Sequence, residues 1–159
     1  MSGVKLTDIV EKMNLKNLTP EVDITEREVL VPDVNRPALQ LAGFFDHFDL
    51  NRVQIIGNVE CAYLETLEEE KRVEIYQKLL EHKVPCIIFS NELQPDESFI
   101  EIAQKNDIPV FGTCKKTSSF MGELIRWLNV KLAPCISIHG VLVDVYLSLI
   151  HISEPTRLL

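Results

Sequence analysis

The chain has 159 residues, 46% of them hydrophobic and 25% charged, the proportions of an ordinary globular domain. That is long enough for one domain with its own core, and it excludes a mostly disordered, collagen-like or coiled-coil chain. With 24 acidic against 16 Lys and Arg residues the net charge is −8, a surface that repels phosphate backbones and anionic lipid, so any anionic ligand needs a local site.

In chain order, Leu6, Ile9, Val10 and Met13 fall on one face of a helix that ends near Asn14. Thr19-Pro20 marks a loop, and Val29-Leu30-Val31 reads as a strand stopped by Pro32. Between Asn35 and Phe48, Pro37 breaks any strand, and Phe44, Phe45 and Phe48 are too close together to share one strand face. A short helix or ordered loop pinned to the core is expected there. Arg52 to Gly57 is strand-like and ends at a glycine, where the chain can turn sharply. A helix is expected from about Leu67 to Glu81 with Val73, Tyr76, Leu79 and Leu80 inward. Glu68, Glu69 and Glu70 in its first turn suit the helix dipole better than they suit a metal site.

A regular alternation follows. Cys86 to Phe89 reads as a buried strand, Asp96 to Lys105 as a helix, and Ile108 to Phe111 as a strand. Thr117 to Leu132 reads as a helix whose stripe is Met121, Leu124, Ile125, Leu128 and Leu132, with Thr117 or Ser118 as N-cap. Met121 and Trp127 read as core residues and not as a ligand box. Strands alternating with helices over short links define an α/β fold, a mostly parallel sheet covered by helices, ending near Leu132. After Ala133-Pro134 the run Ile136 to Tyr146 consists of strand formers around His139-Gly140, the start of a hairpin too short to be a domain.

The opening run MSGVKLTDIVEKMNL is charged throughout and does not read as a secretory signal. No apolar run approaches the ~20 residues of a membrane span. Cys61, Cys86, Cys114 and Cys135 are far apart, without a CxxC pair, and read as reduced thiols of a cytoplasmic protein and not as a zinc site. None of the glycines is followed by Lys, so the sequence contains no GxxxxGK[ST] loop; it also contains no GxGxxG, HExxH or GxSxG. Two places keep chemical interest. Lys115, Lys116, Thr117 and Ser118 link a strand to a helix N-terminus, where cations, hydroxyls and backbone N–H groups suit an anion such as a phosphorylated effector; an ordinary capped loop is the plainer alternative. His139 precedes a glycine between apolar segments, so its imidazole is expected at a turn, able to donate to phosphate or relay a proton.

Arg36-Pro37, Leu39, Leu41-Ala42-Gly43-Phe44-Phe45, Phe48, Arg52-Val53-Gln54-Ile55-Ile56-Gly57 and Glu60 together resemble the N-terminal domain of bacterial HPr kinase/phosphorylase. Leu132-Ala133-Pro134 and Ser137-Ile138-His139-Gly140-Val141-Leu142-Val143-Asp144-Val145-Tyr146 are similar to the entry into that family's catalytic domain. The resemblance runs from residue 1 to 146. It implies an N-terminal α/β fold akin to the first domain of the Mur ligases. It also implies a hexameric enzyme of carbon catabolite regulation that uses ATP and magnesium to phosphorylate a serine of the phosphocarrier HPr and removes that phosphate by phosphorolysis. By resemblance His139 takes the place of an active-site histidine near the nucleotide phosphates.

The family continues past the matching tyrosine into a Walker A loop, which does not follow Tyr146 here. Instead Leu147 to Arg157, LSLIHISEPTR, resembles the translation of a transposase adaptor used for sequencing libraries. The expected organisation is therefore 1–132 as N-terminal domain, 133–146 as the start of a catalytic domain and 147–159 as a foreign tail. No nucleotide-binding site, metal site or phosphotransfer is expected of the chain as it stands. A stand-alone regulatory or ligand-binding module without an enzyme is the second reading, supported by the complete-looking α/β unit and the lysine loop.

Overall fold

A computed structural model describes residues 3–133, 137–138 and 141–142. In chain order the elements are β1 (Val4–Lys5), α1 (Leu6–Met13), β2 (Lys16–Asn17), β3 (Glu28–Val29), β4 (Val34–Asn35), α2 (Ala38–Leu41), β5 (Val53–Ile56) and α3 (Asn58–Glu65). They continue with α4 (Glu69–Leu80), β6 (Ile87–Phe89), α5 (Glu97–Lys105), β7 (Val110–Gly112), α6 (Thr117–Leu132), β8 (Ser137–Ile138) and β9 (Val141–Leu142).

The main sheet has five strands in the order β2-β7-β6-β5-β4. β4 to β7 are parallel, and β2 runs antiparallel along the β7 edge. This is the α/β fold expected, with mostly parallel strands between two helix layers. Every residue of β5 and β6 is buried, as apolar runs covered on both faces must be. One layer packs α1 and α6 on Val53, Ile55, Ile88 and Phe111. The other packs α2 to α5 on Ile56, Ile87, Phe89 and Val110. Gln54 is the buried polar exception in β5. Its amide donates to the Arg52 carbonyl at 2.9 Å and its oxygen accepts from Asn35 at 2.7 Å, so burial leaves it satisfied.

Local signals explain most boundaries. Asn14 ends α1 in the left-handed conformation, with its N–H and that of Leu15 returning to carbonyls of the last turn. The 35–48 segment contains a short helix, α2, and is anchored where the Phe45 ring stacks on His82 at 4.6 Å and Phe48 meets Phe45 edge-on. α4 begins at Glu69, and Ile75 joins Tyr76, Leu79 and Leu80 inside while Val73 is half-buried.

Three features depart from the sequence reading. The strand expected at 29–31 is Glu28–Val29, paired antiparallel with β1, and Leu30 is exposed. α3 occupies 58–65, where no helix was expected: only Glu60 and Leu64 are buried, so its apolar periodicity is weak. α6 starts at 117 as expected, but its N-cap is Lys116 with no side-chain capping bond, because the Thr117 hydroxyl is engaged elsewhere. β8 and β9 pair antiparallel, Ile138 opposite Val141, the register of a hairpin. His139, Gly140 and the tail 147–159 lie outside the described residues.

Candidate functional site

Parallel sheets present their functional loops at the carboxyl ends of the strands, and that end is where the polar residues of this fold converge. Gly57 closes β5 with φ −119° and ψ −162°, an extended conformation open to any residue. The chain does turn from strand to helix across this one residue, but in a conformation that does not itself require glycine. What it provides is room, since a β-carbon there would stand 2.6 Å from Thr117 Oγ1 and 2.8 Å from Arg36 Nη2.

Arg36 precedes α2 and Glu60 lies in the first turn of α3. One oxygen of Glu60 accepts from Arg36 Nη2 at 2.7 Å and from the Gly57 N–H at 2.8 Å. The second bond is half of a capping box, because glycine has no side chain to return it. Glu60 is only 2% exposed and Arg36 34%, so the carboxylate is sealed beneath a guanidinium that still meets solvent. Arg36 Nε is buried without a hydrogen-bond partner among the described residues.

Beside this pair a chain of hydroxyls joins three strand ends. Asn91 Nδ2 donates to Thr117 Oγ1 at 2.9 Å, and that oxygen lies 2.5 Å from Ser90 Oγ, which itself reaches the Ile56 carbonyl at 3.3 Å. Asn91 and Glu92 are consecutive left-handed residues, with φ 58° and 57°. Their N–H groups donate to the carbonyls of Lys115 and Thr113 at 2.8 and 2.9 Å, so the loop after β6 is stapled to the loop after β7.

The lysine loop sits on that staple. Lys115 Nζ donates to Glu123 Oε1, one helix turn or so along α6, at 2.6 Å. This bond holds the Glu123 carboxyl below its ordinary range. Lys116 and Ser118 are exposed, while Thr117 is buried with its hydroxyl committed to Ser90 and Asn91. The four residues therefore occupy one helix start but face different partners. An anion there would meet Lys116, Ser118 and the free N–H groups of the first turn of α6. Arg36 and Glu60 carry part of the family resemblance, but Ser90 and Asn91 were not singled out. The usable signal was a glutamate three residues after the glycine that ends a strand, the mark of a helix start. His139 lies outside the described residues.

The described residues hold no group of three or more His, Cys, Asp or Glu side chains suited to a metal ion, and the sequence has no GxxxxGK[ST] loop. The loops at the carboxyl end of the sheet are cross-linked to one another. The strands β4 to β7 lie in the sheet in chain order.

Comparison with known proteins agrees with this architecture. The chain is similar, at 19% identity and a TM-score of 0.57, to the crystal structure of the CBS and DRTGG domains of the regulatory region of Clostridium perfringens pyrophosphatase. The likeness covers 96% of this chain and 61% of that one and concerns the fold. Relatives named HPr kinase/phosphorylase match at 58% identity over 146 residues in Lachnoclostridium phytofermentans and at 42% over 138 residues in Caldicellulosiruptor bescii. These matches cover 92% and 87% of this chain but 47% and 44% of the relatives, so the chain spans about half their length. The family model described as HPr Serine kinase N terminus matches residues 4–128, and with the sheet, its helix layers and these relatives it places the chain in the HPr kinase/phosphorylase family.

Proposed function

We propose that this chain is the N-terminal part of an HPr kinase/phosphorylase, the enzyme that phosphorylates a serine of the phosphocarrier HPr with ATP and magnesium and reverses the reaction by phosphorolysis. The observation that carries the reading is the family match over residues 4–128, followed in order by Ser137-Ile138-His139-Gly140 and its apolar continuation. In this reading residues 1–132 are a folded support, and His139 approaches the phosphates once the remainder of a catalytic domain surrounds it. The triphosphate and its magnesium are bound by the half of the relatives that this chain does not match.

Cytoplasmic residence, a hexameric assembly and a role in carbon catabolite regulation belong to the same proposal. It is supported by the family match. The lysine loop at Lys115, Lys116, Thr117 and Ser118 is the proposed place for an anionic effector. Residues 147–159 are read as foreign, in keeping with matches that extend over 146 residues of the 159.

The test joins residues 1–146 to the C-terminal half of the L. phytofermentans relative. HPr is then incubated with ATP and magnesium and its phosphoserine measured. The chimera is expected to phosphorylate HPr, its His139→Ala variant to lose most of that activity, and the 159-residue chain alone to show none. Activity from the 159-residue chain, or a folded chimera without any, overturns the reading.

A further inference from the structure

On the face of the sheet away from α1 and α6, a cavity of about 180 Å³ opens between α3, α4 and the start of α5. None of its lining residues belongs to the carboxyl-end cluster or to the lysine loop. Its floor is apolar and aromatic: Leu64, Phe89 and Phe99 line it with the ring of Tyr76. Phe99 meets both Tyr76 and Phe89 edge-to-face, with centroids 5.1 and 5.2 Å apart, so the rings are locked and the floor is preformed.

The rim is charged. Tyr76 donates its hydroxyl proton to Asp96 Oδ2 at 2.5 Å, and Arg72 Nε donates to the same oxygen at 3.2 Å. Arg72 Nη1 is turned to the Leu67 carbonyl at 2.7 Å. The one cation at the mouth is thus bound to its own protein, while Glu65 stands at the rim as well. Two carboxylates against one guanidinium leave the opening negative. The Cys61 thiol in the wall registers this: burial raises it first, and Glu60, Glu65 and Asp96 raise it further, to about 11.

A negative mouth over aromatic faces has a defined complement. An apolar group fills the floor, and an attached cation sits at the rim, neutralised by carboxylate. An anion of the same shape is repelled. We propose that this cavity binds a small organic ammonium, an alkyl- or arylalkylamine of about ten non-hydrogen atoms. The apolar end lies against Phe89 and Phe99, and the ammonium lies between Glu65 and the free oxygen of Asp96.

The 159-residue chain, labelled with nitrogen-15, is titrated with phenethylammonium and in parallel with 3-phenylpropanoate, its anionic counterpart. The ammonium is expected to shift the amides of Leu64, Tyr76 and Phe99 with a Kd on the order of millimolar, at least about tenfold tighter than the carboxylate. Glu65→Gln, an exposed position that leaves the fold intact, is expected to weaken the ammonium about two- to fivefold, the range of an exposed ion pair. Leu64→Phe, which fills the floor, is expected to abolish the shifts while leaving the rest of the spectrum in place. Equal binding of the two probes, shifts confined to other regions, or no response to Glu65→Gln overturns the proposal.

Discussion

The α-carbon of Gly57 and the hydroxyl of Thr117 are packed so closely that a β-carbon on the glycine would stand 2.6 Å from Thr117 Oγ1. That contact brings the end of β5 against the start of α6 and fixes where the two helix layers meet above the sheet. Because the Gly57 backbone is extended, an alanine suffers no conformational penalty, and its whole cost is displacement of Thr117 and Arg36. Gly57→Ala is expected to lower stability by about 1–3 kcal/mol, the range of overpacking. In a Thr117→Ala background the same change is expected to cost less, because one obstacle is gone. Urea denaturation midpoints of the four proteins check it; equal costs in both backgrounds mean that Thr117 is not the obstacle.

Glu60 carries the next expectation. Removing its carboxylate leaves the Gly57 N–H and Arg36 Nη2 without their partner. Arg36 retains contact with water, so Glu60→Ala is expected to cost about 2–3 kcal/mol and not the larger penalty of a fully buried pair. Glu60→Gln, which keeps an acceptor oxygen, is expected to recover roughly half. Thermal or urea unfolding measures both, and an undiminished Glu60→Ala protein refutes the structural role of the pair.

The fold was legible where periodicity was strong. The helical period of α6 and the apolar runs of β5 and β6 are legible, since a helix buries every third or fourth residue and a doubly covered strand buries all of them. The α6 stripe is turned, however: Phe120 joins Leu124 and Leu128 inside, while Met121, Ile125 and Leu132 are half-buried. α3 was illegible for the same reason in reverse: Val59 and Tyr63 are exposed, and the residues that fix the helix are a buried glutamate and one leucine. β2 is two exposed residues whose strand character comes from pairing with Gly112 and Phe111, which no local pattern encodes. The polar cluster is assembled from four stretches of the chain, at 36, 56–60, 90–92 and 113–117, with Ser90 and Thr117 27 positions apart. Ser90 and Asn91 appear in the sequence as unremarkable loop residues and join Thr117 in a network only when parallel strands align their ends.

The loop after β6 carries backbone strain at a residue that has no need of its side chain. Glu92 is exposed and left-handed, φ 57°. That conformation costs a non-glycine residue about 1–2 kcal/mol, against about 0.5–1 kcal/mol of extra chain entropy lost by a glycine. Glu92→Gly is therefore expected to stabilise the protein by about 0.5 kcal/mol, with the Thr113 bond kept. A loss of stability in urea titration refutes that balance. Asn91→Gly is expected to destabilise despite the same φ, because it also removes the bond to Thr117.

The lysine loop is tested through its own counter-ion. Lys115 and Glu123 are both solvent-accessible, so their bond is screened by water and contributes little to stability. Glu123→Gln is expected to leave stability almost unchanged and to free the ammonium for an anion at the start of α6. Inorganic phosphate should then shift the amides of Lys116 to Ser119 with an affinity about two- to fivefold higher than in the parent. Unchanged or absent phosphate shifts in both proteins refute the anion site.

The last expectation concerns alkali. Burial pushes the Cys86 thiol from 9.0 up to about 12, and burial aided by Glu60, Glu65 and Asp96 pushes Cys61 up to about 11. Burial, with the hydrogen bond to Asp96, also raises Tyr76. Below pH 9 these groups are protonated folded or unfolded, and stability does not respond to them. Between pH 9 and about 12 the unfolded chain has released the Cys86 proton while the native state keeps it. The native state binds more protons, so unfolding free energy falls as pH rises. Cys86 alone gives a slope of at most about 1.4 kcal/mol per pH unit, and Cys61, partly open to solvent, adds less. Cys86→Ala is expected to flatten the curve above pH 9 whatever its effect at pH 7. Iodoacetamide at pH 8 gives the matching kinetic order, with exposed Cys114 modified first, Cys61 far more slowly and Cys86 only on unfolding. An unchanged alkaline slope in Cys86→Ala, or rapid labelling of Cys86 in the native protein, contradicts the burial from which both expectations derive.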